Sequence, residues 1–203
     1  MVPLYVACIV EGQGDVSAAP VLLKRLVTFV NPDIYADVRP FRVGRSKLVL
    51  LGELERAVEL AGRGLRSPGI VLIVIDSDDD CPKELAPVLL DRARRAAGDR
   101  WPVGVVLAKR EFENWFIAAA ESIAGYAGLR PDLTAPPNPE SIRGAKEWLH
   151  RNMLSGKAYS PTIDQPALAS KFDLNAARRA PSFDKMCREI ERFCSLEIGR
   201  AHV

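Results

Sequence analysis

The chain has 203 residues, of which 48% are apolar, with 28 basic and 26 acidic side chains. That much apolar material offsets the ordering entropy of a folded domain and excludes disorder, and no apolar run approaches the length of a membrane span. A net charge of +2 excludes a polyanion binder that is basic over its whole surface, so any contact with nucleic acid is expected to be local.

The first ten residues are apolar without a basic residue ahead of Glu11, which does not read as a secretion signal and predicts a cytoplasmic protein. Cys8, Cys81, Cys187 and Cys194 form no C-x-x-C pair, and His150 and His202 are the only histidines, so no zinc site is expected. Pro3 to Val10 reads as a buried strand ending at Gly12. Asp15 or Ser17 can cap a following helix to about Val30, in which Val16, Leu22, Leu23, Leu26 and Val30 recur at helical spacing. Ile34 to Val43 reads as a second strand, placed at an edge by Pro40 because proline donates no ladder hydrogen bond. Arg39, Arg42, Arg45 and Lys47 put four basic groups in nine positions with no acid among them, a solvated turn or a local polyanion contact. Ser46 predicts a helix cap, with Leu50, Leu54, Val58 and Ala61 on one face before Gly62 and Gly64 end the helix.

Ile70 to Ile75 is an unbroken aliphatic run, the mark of a strand buried on both faces and hence of the centre of a parallel sheet. A helix from Pro82 to about Gly98, a fourth strand at Val103 to Ala108 and a short amphipathic helix at Glu113 to Ile123 complete an α/β pattern. Beyond Gly125 the prolines 131, 136, 137 and 139 make a stiff connection, and the remainder reads as helical, most clearly at Ser141 to Met153 and Ser182 to Leu196. The stripe Phe183, Met186, Cys187, Ile190, Phe193 and Cys194 is expected in the core. Residues 1–124 are thus predicted as an α/β domain and 125–197 as a helical extension packed on it. Ile198 to Val203 resembles the translation of a sequencing adapter and reads as a non-native tail, so His202 carries no argument.

Acids follow three of the four strands: Glu11 after the first, Asp76, Asp78, Asp79 and Asp80 after the third, and Glu111 and Glu113 after the fourth. In a parallel sheet these positions share the C-terminal edge, where open α/β sheets bind ligands. Carboxylates that converge there repel by roughly 4 kcal/mol per pair at about 4 Å unless a cation intervenes. Oxygen donors without histidine or thiolate select magnesium or manganese, whose remaining positions suit phosphate oxygens. Gly12-x-Gly14 is a poor dinucleotide turn, because Ser17 stands at the third glycine and Glu11 would face the pyrophosphate. A P-loop lacks its lysine and hydroxyl. An Asp-x-Asp phosphatase is disfavoured because that motif usually follows the first strand and here follows the third.

A glutamate after the first strand, Glu11, and an Asp-x-Asp after the third, Asp76-Ser77-Asp78, resemble the Toprim fold of topoisomerases, primases and the overcoming-lysogenization-defect nucleases. More narrowly, the chain resembles small stand-alone bacterial Toprim-like proteins of unknown function, through Gly44-Arg45-Ser46-Lys47, Glu111-x-Glu113-x-Trp115, Asp164-Gln165-Pro166 and Ala177-Arg178-Arg179. The resemblance implies a mainly parallel four-stranded Rossmann-like sheet and magnesium- or manganese-dependent phosphodiester hydrolysis of nucleic acid, DNA ahead of RNA, in a bacterial defence or repair setting with an ATPase partner. Glu11, Asp76 and Asp78 are the expected metal ligands, and Glu11 could instead be a general base. Asp80, Glu111 and Glu113 are further candidate ligands. Lys109 is the expected cationic catalytic residue, and Arg42, Arg45 and Lys47 are expected to contact the nucleic acid. The alternative is a non-catalytic module that regulates an ATPase. Trp115 and Trp148 are read as packing residues. Arg143, Lys146, His150 and Arg151 read as a basic helical face, solvated as such faces usually are, with phosphate contact by that face, or by Lys157 and Tyr159, and a place flanking the acidic crevice as the alternative.

Overall fold

The computed structural model describes residues 2–201, with side chains to residue 196. The tail expected at Ile198 to Val203, His202 included, lies outside the residues whose side chains are described. Four strands, β1 (Val2–Val10), β2 (Ile34–Arg42), β3 (Gly69–Asp76) and β4 (Val103–Ala108), form one all-parallel sheet in the order β2-β1-β3-β4. The chain steps from β1 to β2 in one direction and returns to β3 on the other side of β1. The switch in direction therefore falls between β1 and β3, where an open sheet leaves a crevice at its C-terminal edge. The edge position expected for the strand carrying Pro40 is found.

The alternation of side chains along each strand divides the apolar residues into two layers. On one face Val6, Cys8 and Val10 of β1 and Ile70, Leu72 and Val74 of β3 pack against α1 (Gln13–Val30), α5 (Glu113–Ala118), α7 (Pro161–Lys171) and α9 (Pro181–Ala201). On the other, Ala7, Ile9, Val71, Ile73 and Ile75 pack against α3 (Glu53–Gly62) and α4 (Pro82–Ala97). Every residue of β3 is buried, as an aliphatic run sandwiched between helices requires. The expected stripe from Phe183 to Cys194 lies in the first layer. Gly104 of β4 lets α9 come close, since a Cβ there would stand 3.0 Å from the Phe193 ring.

Several elements depart from the sequence expectations. The helix expected to run from Ser46 to Gly62 is broken into α2 (Arg45–Leu48) and α3 by Gly52 at φ +86°, and Leu50, expected on the buried face, is exposed. The break is held by Arg92 of α4, which donates to the carbonyls of Val49 (3.1 Å) and Leu50 (2.6 Å) and to both oxygens of Glu55 (2.7 and 2.9 Å). The helix expected over Ser141 to Met153 starts only after Gly144, in the left-handed region, as α6 (Ala145–Arg151). The helix at Glu113 is not amphipathic: all of α5 is buried, because α8 (Leu174–Ala177) and its neighbours cover its outer side, and a 3-10 turn at Ala120–Ile123 follows. Helix α1 is capped at Gly12, with Asp15 reaching back to it, and neither Asp15 nor Ser17 is the cap residue.

The Arg92 hydrogen bond holds the Glu55 carboxyl down at about 2. A depressed folded pKa gives stability that is fully present above the ordinary glutamate value of roughly 4.3 and is lost as pH falls toward 2. Glu55→Gln is expected to cost ~1 kcal/mol at neutral pH, reduced by partial solvent exposure, and to remove part of the acid dependence between about pH 4.5 and 2. Thermal denaturation across that range checks it.

Candidate active site

The C-terminal ends of β1, β3 and β4 carry the acids to one crevice, as the parallel register dictates. Asp76, the last residue of β3, is only 8% exposed, and its Oδ1 accepts the Phe112 N–H at 2.8 Å. Burial holds its carboxyl well above the ordinary range, and the charges of Glu113, Asp15 and Glu11 add to this while Lys146 opposes it. Glu113, in the first turn of α5, is completely buried, and its Oε1 accepts the Tyr159 hydroxyl at 3.1 Å. Burial raises it as well, again opposed by Lys146. Glu11 is raised by burial and by the charges of Asp15 and Asp78. The Glu11 Oε2 and Glu113 Oε2 atoms are buried without a hydrogen-bond partner.

Of the expected site residues, Glu11, Asp76 and Glu113 therefore lie together. Glu111 stands at the rim, where its Oε1 accepts the Ala145 N–H (2.8 Å) and its Oε2 the Lys146 ammonium (2.7 Å). Asp78 is exposed, at φ +49°, with Arg45 Nε 3.6 Å from its carboxylate. Asp80 is turned outward to an ion pair with Arg45. Arg45 also donates to the carbonyls of Asp76 (3.0 Å) and Ser77 (3.3 Å), and Arg42 donates to the Glu11 carbonyl at 3.1 Å. These two arginines thus frame the crevice, and Lys47 lies exposed on the same turn. Lys109 joins the surroundings through its backbone, its N–H donating to Ser182 Oγ at 3.1 Å.

The lysine among the carboxylates is Lys146 of α6, with Nζ 2.7 Å from Glu111, 3.3 Å from Glu113 and 3.8 Å from Asp76. Burial works against its charge, but the carboxylates of Glu113, Asp76 and Glu111 overcome it and raise its pKa. The sequence favours a solvated basic face for Lys146, with phosphate contact as the alternative for it and for Tyr159, and gives neither a place among the acids. The structure corrects this: Tyr159 is buried, and burial together with Glu113 keeps it a phenol. Two further residues join the site without having been expected there: Asp15, read from the sequence only as a helix cap, and Asn114. Asp15 lies 8% exposed, its Oδ2 accepting the Gly12 N–H (2.8 Å) and its Oδ1 the Gln165 amide (2.7 Å). Asn114 accepts from Arg110 N–H (3.1 Å) and Glu111 N–H (2.9 Å) and donates to the carbonyls of Pro139 (2.8 Å) and Ile142 (3.1 Å). That side chain ties the acidic turn after β4 to the segment leading into α6. The signals in the sequence are the Asp164-Gln165-Pro166 and Glu111-x-Glu113-x-Trp115 motifs and the basic stretch Arg143 to Arg151, expected at most to flank the crevice.

Gly14 is required by the same contact, because a Cβ there would collide with the Gln165 side chain and stand 2.9 Å from the Pro161 carbonyl. Gly14→Ala is expected to cost about 2–3 kcal/mol by overpacking, seen as a melting temperature lower by roughly 5–10 °C.

Among the described residues the metal donors at the crevice are carboxylate oxygens, which suit a hard divalent cation, and the buried Glu11 Oε2, which accepts no hydrogen bond, points the same way. As the side chains stand, however, no group of three or more His, Cys, Asp or Glu residues among those described is arranged to hold a metal ion. Lys146 is the charge that the acids now share. Among the described residues, no helix is long and apolar enough to cross a membrane.

No curated protein and no solved structure matches the chain. The family described as a domain of unknown function (DUF4276) matches residues 10–191, from the last residue of β1 into α9, a span that takes in the whole carboxylate cluster together with Lys146, Tyr159 and Gln165. With most of its length matched, the chain belongs to this family.

Proposed function

We propose that the protein is a Toprim-like, magnesium- or manganese-dependent phosphodiesterase of the bacterial cytoplasm that cuts nucleic acid, DNA ahead of RNA, in a defence or repair system with an ATPase partner. The observation that supports this most is Asp76. It is a carboxylate placed by the central strand at the switch point of a parallel sheet, nearly buried, and surrounded by Glu11, Asp15 and Glu113. Burying so much like charge is costly, and a divalent cation relieves it. Glu11, Asp76 and Asp78 would hold the ion, with Asp80, Glu111 and Glu113 as further acids nearby. When bound, it supplies a polarised phosphoryl oxygen and a water of lowered pKa. Arg42, Arg45 and Lys47 bind and orient the phosphate backbone at the rim. Should Asp76 and Asp78 hold the ion without it, Glu11, whose Oε2 accepts no hydrogen bond, is instead the general base that takes the proton of the attacking water.

The test supplies magnesium or manganese with single- and double-stranded DNA and RNA. Metal-dependent cleavage lost in Asp76→Ala is the expected result, and cleavage equal in the two proteins, or none with either ion, overturns it. Lys146 favours a second reading, because it partly neutralises the cluster without a metal. On that reading the chain is a non-catalytic module, its acids structural, that regulates an ATPase. A calorimetric titration silent to both ions would favour it.

A further inference from the structure

Among the described residues, the one ammonium that reaches the buried acids comes from outside the sheet. Lys146 sits at the start of α6, a seven-residue helix, and its side chain is 40% exposed, whereas Glu113 is wholly buried and the Asp76 side chain only 11% exposed. The lysine therefore has a route to solvent that the acids lack. Its Nζ is shared among Glu111, Glu113 and Asp76 at 2.7, 3.3 and 3.8 Å. One ammonium is shared among those three carboxyl groups, and Glu11 and Asp15 are near enough to Asp76 to act on it as well, so the carboxyl groups outnumber the cation that serves them. Glu113 Oε2, facing the ammonium, still accepts no hydrogen bond. A divalent cation would be drawn to the same oxygens, and two cations at one set of lone pairs exclude each other. This also accounts for acids that converge without forming a ready metal cage.

We propose that Lys146 is a resident counter-ion, that a divalent cation binds Asp76 only by displacing it from Asp76 and Glu113, and that the displaced ammonium, still at the crevice mouth, meets the anionic substrate. The proposal rests on the metal-dependent reading and adds a residue that sets the metal affinity of the site. Glu111, partly exposed and bonded to the Ala145 N–H beside it, is the group that keeps the lysine at the rim when it leaves the interior.

The experiment is calorimetric titration of manganese alone into the full chain at low ionic strength, for the parent, Lys146→Met, Lys146→Gln and Asp76→Asn. Circular dichroism confirms that each variant is folded, and the glutamine variant decides if the methionine one is not. Binding about 10-fold tighter in the Lys146 variants, and lost in Asp76→Asn, is the expected result. Affinity equal to or weaker than that of the parent in the Lys146 variants, with Asp76→Asn still silent, overturns the displacement and leaves the metal site standing. No binding by any of the four proteins overturns both.

Discussion

Asp76→Asn is expected to abolish metal-dependent cleavage while making the metal-free protein more stable. The loss should exceed about 100-fold, since even the outer partners of metal ligands are worth roughly 10–100-fold. The stability gain follows from burial. A carboxyl held well above its ordinary pKa is one whose charged form the fold disfavours, and the charges of Glu113, Asp15 and Glu11 add to that cost. Asparagine keeps an oxygen for the Phe112 N–H and removes the charge, at the expense of the Lys146 attraction at 3.8 Å. A net gain of about 1–2 kcal/mol is expected, the usual trade of function against stability at a strained site.

The pH dependence has a definite sign. Because Asp76 is raised in the folded state, the folded protein binds more protons than the unfolded one between the ordinary carboxylate value and the raised one. The parent's stability from this group is therefore greatest at acid pH and falls as pH rises through that window. The advantage of Asp76→Asn should widen in the same direction. Thermal denaturation in chelator from pH 5 to 8 checks it, and a variant less stable than the parent throughout would mean that Lys146 holds Asp76 as a structural pair.

Trp115→Ala is expected to have the largest effect on folding. The indole is fully buried, its ring 4.7 Å from that of Phe112 and 5.4 Å from that of Phe183. Its Nε1 donates to Ser182 Oγ at 2.8 Å, the same oxygen that accepts the Lys109 N–H. The residue thus joins the turn after β4 to the start of α9. Truncation should cost about 4–5 kcal/mol, lowering the melting temperature by roughly 10–15 °C. Trp115→Phe, which keeps most of the packing and loses the indole hydrogen bond, should cost about half as much. A loss below about 1 kcal/mol for the alanine variant would show that α9 is not fixed through this contact.

The α/β class, all four strands and the core stripe of α9 were legible because each rests on a local period. The run Ile70 to Ile75 can satisfy its apolar surface only between two layers, and Phe183 to Cys194 repeats at the spacing of one helix face. Breaks in the helices were less legible. Gly52 and Gly144 end or begin helices through left-handed backbone, and in the first case an arginine 40 positions away in α4 fixes the turn.

The candidate site divides in the same way. Glu11 and Asp76 could be placed from the sequence alone, because a parallel sheet brings the ends of its strands to one edge whatever the loops do. Lys146, Tyr159 and Gln165 could not. They lie in the segment after Gly125, Lys146 in α6, Tyr159 in the loop that follows and Gln165 in α7, where no period links them to acids up to 150 residues away, and only packing brings them together. The sequence by itself determined the sheet and the acidic edge, since both follow from short-range patterns of polarity. Tertiary structure alone decided which cation meets those acids, because burial of the acids and the path of α6 are properties of the packed chain.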